Sequence, residues 1–204
     1  MNIDRLILGF KSFKKTFYEK QPDFYRLLVE KGQKPAVMVI SCSDSRVNPS
    51  IITQANPGEL FIVRNVANVV PPYEKSGHHQ STSAAIEFAV RDLKVRDIII
   101  MGHSHCGGIR RLCDSHAGCE SREFVDDWLS NVKKAHDEKL KDETQYRQAE
   151  QEAIKISLDN LISFPWVKSR VDNKDLQLHG WWFDMEGGNL FSYEAKEGWK
   201  AVIT

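Results

Sequence analysis

The stretch RDIIIMGHSHCGGIRRL, Arg96 to Leu112, combines an apolar run with a cluster of metal-binding residue types. Ile98, Ile99, Ile100 and Met101 are consecutive, not alternating with polar residues, which marks a strand buried on both faces. The strand is expected at Asp97–Met101 and is closed by Gly102. CGGIRRL then opens a helix, so the chemistry-bearing residues His103, His105 and Cys106 fall between a strand end and a helix start. A strand of this type belongs in a mostly parallel sheet flanked by helices.

The pattern repeats on either side. AVMVIS, Ala36–Ser41, is a second buried strand and runs directly into Cys42. GELFIVRN places another strand near Glu59–Val63, and Ser81–Val95 shows helical spacing at Ala85, Phe88, Ala89 and Leu93. Two helices are expected at the start, Asn2–Tyr18 and Pro22–Lys31, and two long polar ones later, Ser121–Glu138 and Thr144–Ser163, the last stopped by Phe164-Pro165. LQLHGWWFD and NLFSYE, joined through MEGG, form a C-terminal strand pair with a Gly187-Gly188 turn. The fold class is therefore α/β. In such sheets ligands bind at the carboxyl ends of the strands. Cys42 follows one strand and His103 and Cys106 follow another, so they converge if those strands are neighbours.

The composition is that of a globular protein. The chain has 204 residues, is 41% hydrophobic and 27% charged, and balances 28 basic against 28 acidic residues. Zero net charge argues against a large nucleic-acid footprint, and no apolar run approaches the roughly 18 residues of a membrane span. The start, MNIDRLILGFKSFKK, reads as an amphipathic helix instead of a signal peptide. Without an export signal, Cys42, Cys106, Cys113 and Cys119 are expected as free thiols or metal ligands in a cytoplasmic protein.

Cys42, His103 and Cys106 together suit a catalytic zinc ion with a fourth position left open, because thiolate and imidazole favour zinc over magnesium or calcium. The competing reading makes Cys42 a core thiol and His103 a hydrogen-bonded loop residue. His105 competes with His103, but its adjacency to Cys106 makes joint ligation awkward. A four-ligand structural site from Cys106, Cys113, His116 and Cys119 is a further alternative, although its spacing matches no usual knuckle. Asp44 and Arg46, at i and i+2, share a face if the chain is extended, so that the guanidinium grips the carboxylate through two parallel bonds. A structural zinc site needs neither residue. Taken alone, they could be a solvated ion pair worth under about 1 kcal/mol.

With CSDSRV (Cys42–Val47) and GHSHCGGI (Gly102–Ile109) both present, the chain resembles the β-class carbonic anhydrases. The likeness extends through PGELFIVRNVANVV (Pro57–Val70), SAAIEFAVRDLKV (Ser83–Val95), SLDNLISFPWV (Ser157–Val167) and LHGWWFD (Leu178–Asp184). It implies one zinc ion per chain on Cys42, His103 and Cys106, with water, hydroxide or, in a closed resting form, Asp44 in the fourth position. It implies reversible hydration of CO2 to bicarbonate and a proton, through attack of zinc-bound hydroxide, with Asp44 and Arg46 as catalytic dyad. Residues 1–204 would be a single domain in which residues 1–32 form a helical arm packed on a dimer partner, and the assembly would be a dimer or tetramer. Gln33, Phe61, Val66, Phe88 and the backbone of Gly107 would line the substrate pocket, with both chains contributing. Gln33 stands nine residues before Cys42, as in the family's open subclass, and Val39 replaces the tryptophan of the regulated subclass. Phe88 stands where the family often has tyrosine, and HHQSTSAA replaces a Gly-rich stretch, bringing in His78 and His79 as candidate proton relays.

Two thiolates and one imidazole leave a zinc site near zero net charge, which acidifies water less than three histidines would. Activity is therefore expected to rise toward alkaline pH. Three rivals share parts of this pattern: a hydrolase of carbon disulfide or carbonyl sulfide on the same scaffold, a non-catalytic zinc module, and a cysteine enzyme with Cys42 as an unmetallated nucleophile.

Overall fold

The computed structural model describes residues 2–75, 80–114, 119–137, 139 and 144–202. The chain divides into two compact units, Met1–Lys34 and Pro35–Thr204.

The first unit is a helical pair. Helix α1, Ile3–Lys14, is capped by Asn2, whose side chain accepts the Arg5 N–H at 3.2 Å, and it carries Asp4 in its first turn and Lys11 and Lys14 in its last. It continues as a widened π turn, Lys15–Glu19. The expected helix over Asn2–Tyr18 thus exists, but its final turn has a different hydrogen-bond pattern. Helix α2, Pro22–Lys31, starts on Pro22 and ends at Gly32, whose φ of +65° stops it. Aromatic rings hold the pair together: Phe13 on Tyr25 at 5.6 Å, Phe17 on Phe24 at 5.5 Å and Tyr18 on Tyr25 at 5.0 Å between centroids. No residue of α1 or α2 is buried.

The second unit is built on one six-stranded sheet. Its strands are β1 Val37–Cys42, β2 Leu60–Asn65, β3 Asp97–His103, β4 Gln177–Asp184, β5 Asn189–Glu194 and β6 Gly198–Ala201, in the order β2-β1-β3-β4-β5-β6. β2, β1, β3 and β4 are mutually parallel, and the last two pairings are antiparallel. Alternate residues of β1 and β3 face opposite sides. Met38, Ile40, Ile98 and Ile100 enter the main core with Ile86, Ile154, Leu161 and Trp182, while Val39, Ile99 and Met101 form a smaller cluster on the other face. β1 and β3 are neighbours, with Ser41 opposite Met101, so both ligand-bearing strand ends lie at the same edge.

Five helices follow α1 and α2 up to the tail: α3 Pro49–Ile52, α4 Ser81–Glu87, α5 Gly107–Cys113, α6 Val125–Ser130 and α7 Thr144–Ser163; α8 Pro165–Asp172 completes the set among the described residues. Helix α4 continues as a π turn, Phe88–Asp92, which accounts for the helical periodicity read to Val95. α7 lies against β3 and β4 where they carry glycine. A Cβ on Gly102 would come within 2.7 Å of Ile154 Cδ1, and one on Gly180 within 3.0 Å of Ile154 Cγ2.

Several expectations need correction. The long helix expected over Ser121–Glu138 is only α6 plus a 3-10 turn at Lys133–Ala135. The Asp126 carboxylate accepts the Arg122 N–H at 2.8 Å and the Arg111 guanidinium, which holds the preceding residues as a loop. Asn131 Nδ2 donates to the Trp128 carbonyl at 2.9 Å and closes the other end. Pro165 stops α7 but also opens α8, because proline suits a first helical position. The tail has a third strand, β6, beyond the expected pair, and β2 runs from Leu60 to Asn65 instead of Glu59 to Val63. No helix among the described residues is long and apolar enough to cross a membrane.

Candidate metal centre

Cys42 is the last residue of β1 and His103 the last of β3; Cys106 immediately precedes α5. The parallel register therefore delivers two ligand types to one sheet edge, and a short turn adds the third. The ligand atoms of these three residues lie within 4.8 Å of one another, and Cys42 Sγ and Cys106 Sγ are 3.9 Å apart. All three side chains are buried.

The donor set fits zinc. His103 Nδ1 contacts the Ser104 carbonyl at 2.8 Å, which leaves Nε2 as the ligand nitrogen. That Nε2 is buried without a hydrogen-bond partner, 4.0 Å from Asp44 Oδ2. A buried imidazole nitrogen left unpaired beside two sulfurs is what a metal would satisfy. The thiols behave as a coupled pair. The hydrogen bond with Cys106 holds Cys42 well below the usual thiol range, assisted by His103 and opposed by burial. The same bond, with burial, pushes Cys106 up. Burial works against charging His103, yet its contacts with Cys42 and the Ser104 carbonyl leave its pKa raised. A cation held by both sulfurs would favour their thiolate forms and release protons on binding.

Asp44 and Arg46 form the expected bidentate pair, Nε to Oδ1 at 2.9 Å and Nη2 to Oδ2 at 2.7 Å. Their backbone is a turn instead of the extended chain expected, closed by Val47 N–H to the Asp44 carbonyl at 3.2 Å. The turn folds Arg46 back over Asp44. Arg46 also donates to the His105 carbonyl at 3.0 Å, tying the Cys42 loop to the Cys106 loop. These bonds hold the Asp44 carboxyl well below the usual carboxylate range.

His105 does not join the ligands. Its φ is +57°, and its ring pairs with exposed Glu186 at 2.9 Å. Cys113 is buried, which pushes its thiol up to about 11, and Cys119 is exposed and donates to the Asp114 carbonyl. His116, His78 and His79 lie outside the described residues. Of the expected pocket residues, Phe61 and Phe88 meet each other, with ring centroids 5.9 Å apart. Phe61 is opposite Met38, four residues down the strand from the Cys42 level, or about 13 Å. Within one chain the two rings therefore form no wall at the ligands. Val66 is at the correct end, just past β2 and partly exposed, its carbonyl held by Trp128 Nε1 at 2.8 Å. Gly107 opens α5 with free space where a Cβ would be. Gln33 is exposed and belongs to the first unit.

Two supporting residues escaped the sequence reading. Arg64 on β2 donates to the carbonyls of Cys42 at 2.9 Å and of Asp44 and Val47 at 2.6 Å each, bracing the whole CSDSRV loop. A charge inside LFIVRN was the available signal. Glu150 of α7 is buried and accepts the Cys106 N–H at 3.0 Å and the Trp182 indole at 3.2 Å. Burial raises its pKa. Nothing local distinguishes Glu150 from the other charges of its helix.

A family model described as carbonic anhydrase matches residues 37–190. The chain belongs to the carbonic anhydrase family. It is 38% identical over 200 residues to beta carbonic anhydrase 3 of Arabidopsis thaliana, covering 94% of this chain and 77% of that one. It is 35% identical over 198 residues to a carbonic anhydrase of Synechocystis, covering 94% and 71%. Among solved structures, the β-carbonic anhydrase CcaA superposes with a TM-score of 0.90 at 33% identity, covering 99% of this chain and 92% of that one. A tetrameric β-carbonic anhydrase of Sordaria macrospora gives 0.82 at 28% identity, covering 93% and 95%. This β-class carbonic anhydrase is thus a zinc-dependent lyase that hydrates CO2, and Cys42, His103 and Cys106 are the group that can hold its metal.

Proposed function

We propose that Asp44 and Arg46 are the catalytic pair of this carbonic anhydrase and that a second copy completes its substrate pocket. The observation that carries the first part is the bidentate grip of Arg46 on Asp44, beside the unpaired His103 Nε2. Zinc, when bound, supplies the Lewis acidity that prepares a water for attack on CO2. Asp44 offers that water an ionised acceptor. Arg46 keeps the carboxylate charged and holds it off the ligand cluster, the arrangement of the open subclass. Arg46 also fixes the spacing of the two loops through the His105 carbonyl.

Gln33 orients an oxygen of CO2 or bicarbonate, and the Gly107 N–H donates to the product. Val66, Phe61 and Phe88 provide the apolar wall that a small nonpolar substrate needs. The separation of the Phe61–Phe88 pair from its own Cys42 along β2 supports a wall assembled from two chains. The apolar residues exposed on the first unit, Ile3, Leu8, Phe10 and Val29 among them, support the reading of residues 1–32 as an arm on a dimer partner. Four free cysteines suit the reducing cytoplasm.

Stopped-flow CO2 hydration across pH, on protein of measured zinc content, tests this reading. Activity should rise toward alkaline pH and collapse in Asp44→Asn with zinc retained. Undiminished hydration by Asp44→Asn would remove the pair from the mechanism.

A further inference from the structure

The sheet has a second cavity at its other edge, where β3 and β4 begin. It measures about 750 Å³, within the range of small-molecule sites. Its lining includes Arg91, Lys94, Arg96, Arg170 and Lys174, with Trp166 as an aromatic wall and Asp175 as the single carboxylate among the described residues. β3 runs from Asp97 to His103, so this edge is about 20 Å from the metal ligands. The established reaction does not use it.

We propose that this cavity binds a small anion bearing two phosphate groups. The cations are set by the fold. Arg170 of α8 donates to the Val90 carbonyl and to the Asp175 carbonyl, each at 2.9 Å, and so fixes the opposed walls. Arg91 is partly neutralised by Glu87 at 2.6 Å. Among the described residues, Lys94, Arg96 and Lys174 have no carboxylate partner. Lys94 follows the π turn after α4 and Lys174 follows α8, with φ of +55° and +63°. Glycine is the usual residue at such left-handed helix ends, yet lysine occupies both. With Glu87 and Asp175 set against the five cations, the lining keeps a net positive charge that the helix-end carbonyls, about half a negative charge each, do not cancel. Guanidinium forks and ammonium groups together suit phosphate oxygens. Lys94 lies beyond one helix and Lys174 beyond the other, so the cations divide between two elements and offer a separate seat to each of two phosphates.

The test is calorimetric titration of the zinc-loaded full chain with fructose 1,6-bisphosphate and with fructose 6-phosphate, at about 0.15 M salt so that diffuse surface attraction is screened. The bisphosphate should bind with a Kd below about 1 mM, and the monophosphate at least about tenfold more weakly. The double variant Lys94→Glu, Lys174→Glu should lose bisphosphate binding while hydrating CO2 at the unaltered rate. Both side chains are exposed, and the single variant Lys174→Ala serves if the double one fails to fold; it should weaken binding severalfold. Absence of saturable heat with the bisphosphate, equal affinity for the two sugars, or unchanged binding in the variants would overturn the proposal.

Discussion

At the scale of single residues, Cys42 joins three features: strand terminus, member of the group that can hold a metal, and start of the CSDSRV turn. Its sulfur is 3.9 Å from that of Cys106 and also accepts the Asp44 N–H at 3.4 Å. Cys42→Ser should therefore reduce zinc from one ion per chain to near none and abolish hydration with it, as read by metal analysis and stopped flow. Arg46 is different because it touches no metal ligand. Arg46→Lys keeps the charge but cannot grip both Asp44 oxygens and the His105 carbonyl in one fork. It should keep its zinc and lose about 100-fold in kcat/KM. Loss of zinc in parallel with activity would make Arg46 a structural brace instead. The pair was legible in the sequence as Cys-x-Asp-x-Arg. Arg64 and Glu150 were not, because what makes them important is the carbonyls or N–H groups they meet, which come from distant elements.

At the scale of elements, α7 is seated on the sheet through two glycines. Gly180→Ala would set a Cβ within 3.0 Å of Ile154, 3.1 Å of Leu158 and 3.3 Å of Tyr193. It should destabilise the fold by about 1–3 kcal/mol in denaturant titration, with partial recovery when Leu158→Ala is added. The break in the expected Ser121–Glu138 helix has a pH signature. Asp126, bonded to Arg111 and the Arg122 N–H, has a folded pKa of about 2, below its unfolded value. A depressed carboxylate contributes stability that is fully present above the unfolded pKa, about 4, and that is lost as pH falls through the folded one. Asp126→Asn should thus flatten the stability profile between about pH 4 and 2, read by acid unfolding followed by circular dichroism. An unaltered slope there would remove the Asp126–Arg111 pair as its source.

At the scale of the whole molecule, self-association and catalysis are coupled in the proposed reading. Deleting residues 1–32 should lower the mass of the particle in sedimentation and reduce hydration at least about tenfold, with zinc retained by the second unit. A truncated chain that kept both its assembly and its activity would separate the arm from the pocket.

The sequence by itself determined the alternation of buried strands and helices, the two ligand motifs and the residues that could hold zinc. These are local properties: apolar periodicity and side-chain chemistry are present wherever the residue stands. It could not determine that the Asp44–Arg46 pair lies in a turn, that His105 pairs with Glu186, or that Phe61 and Phe88 meet away from the Cys42 end of their own sheet. Those outcomes depend on strand register and on hydrogen bonds between elements far apart in the chain. The parallel pairing of β1 with β3 decided the site, because it brings Cys42 and His103 to one edge.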